Sequence, residues 1–232
     1  MIVLGADMSG HQGTIGLLKE GKFLGETSVN MKMKHLPNFL PVLDFLLKRS
    51  GLEMKDIDLF VTVTGPGSWT GIRIGVTMIK SMAHTLNKPA VGICSLDALA
   101  NNYNFTNKTV YPIIDGARGQ VYFAEYDCKG EYPHRTSDYF LKKVENFLVD
   151  IKKPAIVLGD ACVKYNDKIK KNPEIYIAPI NLNRIGGAII VEAGLKKFIE
   201  SGSDDVLEME PLYLQKSDAE RKFEEKNGKK IL

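Results

Sequence analysis

Three small-residue turns stand where this chain could do chemistry. The first is the run Gly65-Pro66-Gly67-Ser68-Trp69-Thr70-Gly71-Ile72-Arg73-Ile74-Gly75, which follows the apolar stretch 58–63 and opens a long helical pattern. A strand, a glycine turn and a helix start together aim backbone N–H groups outward at the positive end of a helix dipole. Such a turn either holds an anion or brings backbone close against another surface. Gly65, Gly67, Ser68, Thr70, Gly71 and Arg73 are its candidate contacts to an anion or a partner. A Walker A loop is excluded, because Gly71 is followed by Ile72 and Arg73 rather than Lys and a hydroxyl. A dinucleotide fingerprint is excluded too, because Thr70 stands where a third glycine belongs. The plainer alternative is that the glycines permit tight packing while Ser68 or Thr70 caps the helix.

The other two turns each begin with an aspartate at the end of an apolar strand. Asp7 leads into Met8-Ser9-Gly10, and Asp115 leads into Gly116-Ala117-Arg118-Gly119. A lone Asp at such a place commonly satisfies its own turn. Two at matching places in two halves resemble the paired Asp-bearing hairpins of actin-like ATPases, which implies a shared cleft with Asp7, Ser9, Asp115 and Arg118 as candidate residues.

The elements that must position these turns repeat in order. Residues 1–7, 14–19 and 22–29 read as strands, 36–49 as a helix, 58–63 as a strand, 72–87 as a helix and 89–93 as a strand, with a further helix from Ser95. The second half restarts with strands at 110–115 and 120–127, a helix near 144–151, a strand at 155–158 and a helix over 184–200. The expected division is a lobe over 1–103, a second over 104–215 and a charged, loosely ordered tail over 216–232.

Composition limits the functions on offer. Hydrophobic residues make up 44% of the 232 and charged residues 25%, which is ordinary for a soluble globular chain. The net charge of +3 is too small to argue for nucleic acid by itself. Three separated cysteines and four single histidines suggest neither a disulfide framework nor a metal site, so no metal is expected. No signal peptide or membrane span is read, and a cytoplasmic location is expected.

Two helices are more apolar than one buried face requires. On 72–87, Ile72, Val76, Ile79, Ala83 and Leu86 form an inward stripe, while Ile74, Met78, Ser81 and Thr85 form a second seam. On 36–49, Leu36, Leu40, Leu43 and Leu47 are expected inward, with Val42, Phe45 and Leu46 as a second apolar side. These second seams are either a subunit interface or a contact between the two helices themselves.

The duplicated order, with Asp ending each first strand, resembles the actin-like, sugar-kinase-like ATPase fold (ribonuclease H-like), an α/β class of two lobes, each with a mixed sheet and flanking helices. The glycine run, the turn Asp115-Gly116-Ala117-Arg118-Gly119-Gln120-Val121-Tyr122, and the late pair Pro211–Leu214 and Ser217–Glu220 together resemble the TsaB (YeaZ) family. That family serves threonylcarbamoyladenosine synthesis on tRNA. The resemblance implies a non-catalytic, dimerising subunit that activates a TsaD-like catalytic partner and works with a TsaE-like ATPase. It implies contact with tRNA only through the complex, no membrane, and no tightly bound cofactor, with ATP or ADP only alongside partners. In TsaD-like chains a His-x-x-x-His helix holds a metal; here the matching places are Ser95 and Leu99, which cannot ligate one. Met8 replaces a hydroxyl usual in the family, which is expected to remove a phosphate-facing donor. The competing readings are a self-sufficient ATPase or small-molecule kinase, a glycoprotease-type peptidase, and a purely structural dimer.

Overall fold

The computed structural model describes residues 1–30 and 35–214, with the side chains of 35–38 left out; the expected tail 216–232 lies outside the described residues. The first half runs β1 (Ile2–Asp7), β2 (Gln12–Lys19), β3 (Lys22–Asn30), α1 (His35–Arg49), β4 (Leu59–Gly65), α2 (Trp69–Leu86), β5 (Ala90–Cys94) and α3 (Ser95–Ala100). Its sheet has the order β3-β2-β1-β4-β5. The first three strands form an antiparallel meander, and β4 and β5 add in parallel.

The second half runs β6 (Thr109–Asp115), β7 (Gln120–Phe123), β8 (Tyr126–Asp127), β9 (His134–Arg135), β10 (Phe140–Lys143), α4 (Val144–Asp150), β11 (Ala155–Leu158), α5 (Asp160–Lys164), α6 (Asn166–Ile169), β12 (Ile175–Ile177) and α7 (Gly187–Ser201). Its main path, β10-β7-β6-β11-β12, repeats the first order strand for strand, with β8 and β9 as a small addition. The duplication expected from sequence is therefore present in topology, and the fold is the duplicated actin-like, ribonuclease H-like one. Asp7 and Asp115 are the last residues of the two equivalent first strands.

Sheet burial follows from helices on both faces. Strand β4, read Leu-Phe-Val-Thr-Val-Thr-Gly, is buried along nearly its whole length because α2 covers one side and α7 the other. Ile72, Val76, Ile79 and Ala83 of α2 point into the core as the periodicity requires, and Leu86 packs at its edge.

Two expectations need correction. The inward face of α1 is Phe39, Leu43, Leu46 and Leu47, whereas Leu40 is 58% exposed and Leu46 only 6%. Apolar residues surround this helix, so period alone leaves its phase undetermined, and the bulk of Phe39 settles it. The lobe boundary also shifts. Helix α7 belongs by sequence to the second half, yet it lies across β1, β2, β3, β4 and β5 of the first sheet. The segment 203–214 continues there: Asp204 bridges to Ala90, Met209 is buried in the first core, and the Leu212 N–H donates to the Thr64 carbonyl at 2.8 Å.

Glycine makes that crossing geometrically feasible. A Cβ on Gly16 would lie 2.6 Å from the Gly187 carbonyl oxygen, and one on Gly194 would lie 2.3 Å from the Val61 methyls. Helix and sheet thus meet backbone to backbone, and a methyl group there has no room to relax. Gly16→Ala is expected to destabilise the protein by about 1–3 kcal/mol, as overpacking typically does; equilibrium urea unfolding measures it, with Gly130→Ala, at an exposed turn position with room for a Cβ, as the control for glycine entropy alone.

Candidate functional site

The carboxyl ends of the first strands of both lobes open onto one cleft of about 630 Å³. Its polar lining includes Asp7, Ser9 and His11 from the first hairpin, and Asp115 and Asp160 from the second lobe. Leu99, Ile114, Val163, Ile180 and Ile185 give it apolar walls. A smaller continuation of about 270 Å³ reaches Gly67 and Ser68 of the glycine loop. Asp7, Ser9 and Asp115 are therefore brought together as expected. Arg118 is not: it stands exposed at the tip of its turn with φ 49°, lines neither recess, and its carbonyl accepts from Lys143 Nζ at 2.8 Å.

Sequence reading missed Asp160. It follows β11 through Gly159 and starts α5, the place that the glycine loop occupies after β4 in the first lobe. The signal was available in Leu158-Gly159-Asp160, an apolar strand followed by glycine and a helix-initiating acid. In both lobes the glycine allows the turn to close on the first strand. A Cβ on Gly159 would lie 2.2 Å from the Ile113 carbonyl oxygen, and one on Gly67 2.4 Å from that of Ser9.

The glycine loop resolves in favour of packing. Gly71 brings the first turn of α2 so near the first hairpin that a Cβ would sit 1.9 Å from the Met8 carbonyl oxygen. Ser68 caps α2 by accepting from the Gly71 N–H, and its own N–H donates to the Ser9 carbonyl at 2.6 Å. Thr70 is exposed on the first turn of the helix. Arg73 turns away from the cleft: its Nε donates to the Tyr213 hydroxyl at 2.7 Å and its guanidinium lies over Trp69. Trp69 stacks on Tyr213, so this cluster fastens the segment 203–214 to α2. Met8 corrects a further expectation. Its side chain is buried beneath α2 beside Gly75, so a hydroxyl there would not face the cleft.

Several further polar groups beside the cleft are engaged from within. The Gly187 N–H, at the start of α7, donates to Glu26, which Arg184 holds at 3.2 Å. The Gly159 N–H donates to Asn183 Oδ1 at 2.8 Å. Asp115 accepts from Lys164 at 2.6 Å, from Tyr165 and from the Ala117 N–H. Leu99 lines the cleft, whereas Ser95 is fully buried behind it, its Oγ 3.5 Å from Ser9 Oγ. Among the described residues, no group of three or more His, Cys, Asp or Glu is placed to hold a metal ion. Of the three cleft acids, Asp115 is already paired with Lys164, while Asp7 and Asp160 line the cleft with no ion pair among the described residues.

What remains is an unusually desolvated pair of acids. Burial raises Asp7 from 3.8 to about 6, against hydrogen bonds from Ser9 and with added repulsion from Asp160. Asp160 is raised by burial as well, opposed by the Asp115 N–H. The native state therefore binds a proton at Asp7 more tightly than the unfolded chain does. Stability supplied by the protonated form is complete below about pH 3.8 and is lost as pH rises through about 6. Asp7→Asn is expected to flatten the stability profile between those values and to raise stability at pH 7 by up to about 3 kcal/mol, read from urea midpoints across pH 4–8.

Comparisons with known proteins agree with this geometry. A family model described as "TsaD: tRNA N6-adenosine threonylcarbamoyltransferase" matches residues 26–221. The tRNA threonylcarbamoyladenosine biosynthesis protein TsaB of Bacillus subtilis is 36% identical over 129 residues, which is 56% of this chain and 56% of that protein. TsaB of Buchnera aphidicola is 28% identical over 169 residues, 70% of this chain and 80% of that one. The solved structure of YeaZ from Pseudomonas aeruginosa superimposes with a TM-score of 0.78, covering 92% of this chain and 99% of that one at 19% identity, which supports the fold. The chain belongs to the TsaB (YeaZ) family, within the broader group described by the threonylcarbamoyltransferase model.

Proposed function

We propose that this chain serves threonylcarbamoyladenosine synthesis on tRNA as a non-catalytic subunit, pairing with itself and with a TsaD-like catalytic partner through the exposed flank of α1 and α2. The observation that carries this reading is the apolar character of that flank. Phe45 is 53% exposed and Leu40 58%, while Val42, Ile74 and Met78 are only partly covered. Ser81 and Thr85 continue the α2 side as small exposed residues over which a partner helix could pass closely. Leu46, expected on this surface, is in the core and takes no part.

The cleft supports the non-catalytic half of the reading. A loop whose Ser68 N–H is spent on Ser9, and a long helix whose Gly187 N–H is spent on Glu26, leave little with which to hold a triphosphate. ATP or ADP then belongs to the complex with the TsaD-like subunit and a TsaE-like ATPase, not to this chain alone. One flank with two uses makes self-pairing and partner-pairing compete, so the balance shifts with concentration. No helix among the described residues is long and apolar enough to cross a membrane, in keeping with a cytoplasmic role beside tRNA.

A self-sufficient ATPase or kinase is the alternative, favoured by the three cleft carboxylates; sub-micromolar ATP affinity of the isolated chain in calorimetry would revive it. The decisive test of the main reading uses Phe45→Asp and Met78→Glu. Placing a charge in an apolar joint costs several kcal/mol, so each variant is expected to abolish both dimer and heterodimer in native mass spectrometry. Phe45→Asp should leave thermal unfolding of the monomer nearly unchanged, because that ring already faces water. Depletion of the chain in cells should lower the modified nucleoside in hydrolysed tRNA. An unchanged level defeats the proposal.

A further inference from the structure

The amino ends of the parallel strands β6, β11 and β12 lie at the pole opposite the cleft, and lysines crowd there. Lys108 immediately precedes β6, Lys152 and Lys153 precede β11 by one turn, and Lys170 and Lys171 precede β12. The pairing of Ala155 with both Thr109 and Ile175 fixes these three strand starts side by side. Neighbouring strands are about 4.8 Å apart, so the lysines share one surface. Tyr176, half exposed, stands among them with Lys108 Nζ 5.1 Å from its ring.

Few of these charges are compensated. Glu125 takes Lys152 at 2.6 Å and Asp150 is held by Lys142. Glu174 and Asp167 are the remaining acids on the same segments, and among the described residues no ion pair holds Lys108, Lys153, Lys170 or Lys171. The whole chain carries a net charge of only +3, so this pole is a local departure from a balanced surface. Folding does not require it: Lys152, Lys153, Lys170 and Lys171 are exposed and cover no apolar core.

We propose that this lysine-rich pole binds the phosphate backbone of RNA, so that the chain contacts tRNA directly and not solely through its partner. The inference rests on the tRNA-modification reading above. Its chemistry is that of ammonium point charges on flexible stems, which neutralise phosphates without reading base edges. The exposed Tyr176 face adds a surface on which an unpaired base can stack.

The test compares the complex of this chain and its TsaD-like partner with the same complex carrying Lys153→Gln, Lys170→Gln and Lys171→Gln. Binding of unmodified tRNA is measured by fluorescence anisotropy over a salt series. Loss of three phosphate contacts should weaken binding about tenfold at low salt and flatten the log–log salt slope by about 2 to 3. The effect should be alike for tRNAs of different sequence, and Tyr176→Ala should weaken binding further. Native mass spectrometry of the same samples reports pairing separately. A variant that still pairs and binds tRNA with unchanged affinity and slope overturns this inference while leaving the pairing proposal intact. A wild-type chain that fails to pair defeats the earlier reading instead. Binding of the wild-type complex to anionic phosphatidylserine vesicles, with no dependence of tRNA affinity on these lysines, also overturns it.

Discussion

Backbone laid directly on backbone, with glycine at each point of contact, positions nearly everything else in this molecule. Gly67 and Gly71 seat the head of α2 on the first hairpin turn, and Gly159 seats α5 on the end of β6. Gly16 lets the start of α7 lie backbone to backbone on the first sheet, while Gly5 makes room for Ile190 and Val191 of α7 and Gly194 for Val61 of β4. Each contact excludes a Cβ for steric reasons, so the residue type is dictated by distance, whatever a turn's φ permits. One consequence is mechanical: α7 ties the end of the chain to the first lobe, and the two lobes cannot separate as independent halves. The other is chemical, because the same close approach brings carbonyl oxygens up to the N–H groups that a phosphate would otherwise claim.

That second consequence shapes the cleft. Its acids differ in state although all three are aspartates. Asp115 is answered by Lys164 and Tyr165, Asp7 by hydrogen bonds from Ser9, and Asp160 by the Asp115 backbone N–H. Among the described residues, only Asp115 has a cation within ion-pair distance. Burial without a counterion raises Asp7 and Asp160, and such a pair repels phosphate unless protonated.

Much of the fold was legible because the strongest signals are local. Glycine spacing, strand-ending aspartates and the 3.6-residue stripe of α2 all depend on near neighbours, and each was realised within a few residues. The readings that went astray concern relations that period does not encode. Apolar residues on every side of α1 made its rotation indeterminate, so Leu40 and Leu46 exchanged places between surface and core. The return of α7 to the first sheet is a long-range choice that only the fit of Gly187 against Gly16 discloses. Arg118 was expected at the cleft beside Asp115, but the left-handed backbone at Ala117 and Arg118 carries it to the exposed tip of the turn, and the place of Met8, next to Asp7 in the chain, faces α2 instead of the cleft. Asp160 escaped notice because attention to matched first strands ignored the matched fourth ones.

The surfaces left for partners are separate, and this separation is itself an argument about design. The apolar flank belongs to α1 and α2 of the first lobe, the cleft lies at the carboxyl ends of the strands, and the lysine pole lies at the amino ends of β6, β11 and β12. A charge added on the flank is far from the acids of the cleft, and contacts more than a Debye length apart are largely screened at physiological salt. On the readings proposed above, pairing and polyanion binding can then vary independently, with α7 and the segment 203–214 fastened to the first lobe. As a proposed scaffold, the chain would use one face, fixed by apolar fit, to set orientation, and another, charged and unspecific in shape, to hold a long polyanion.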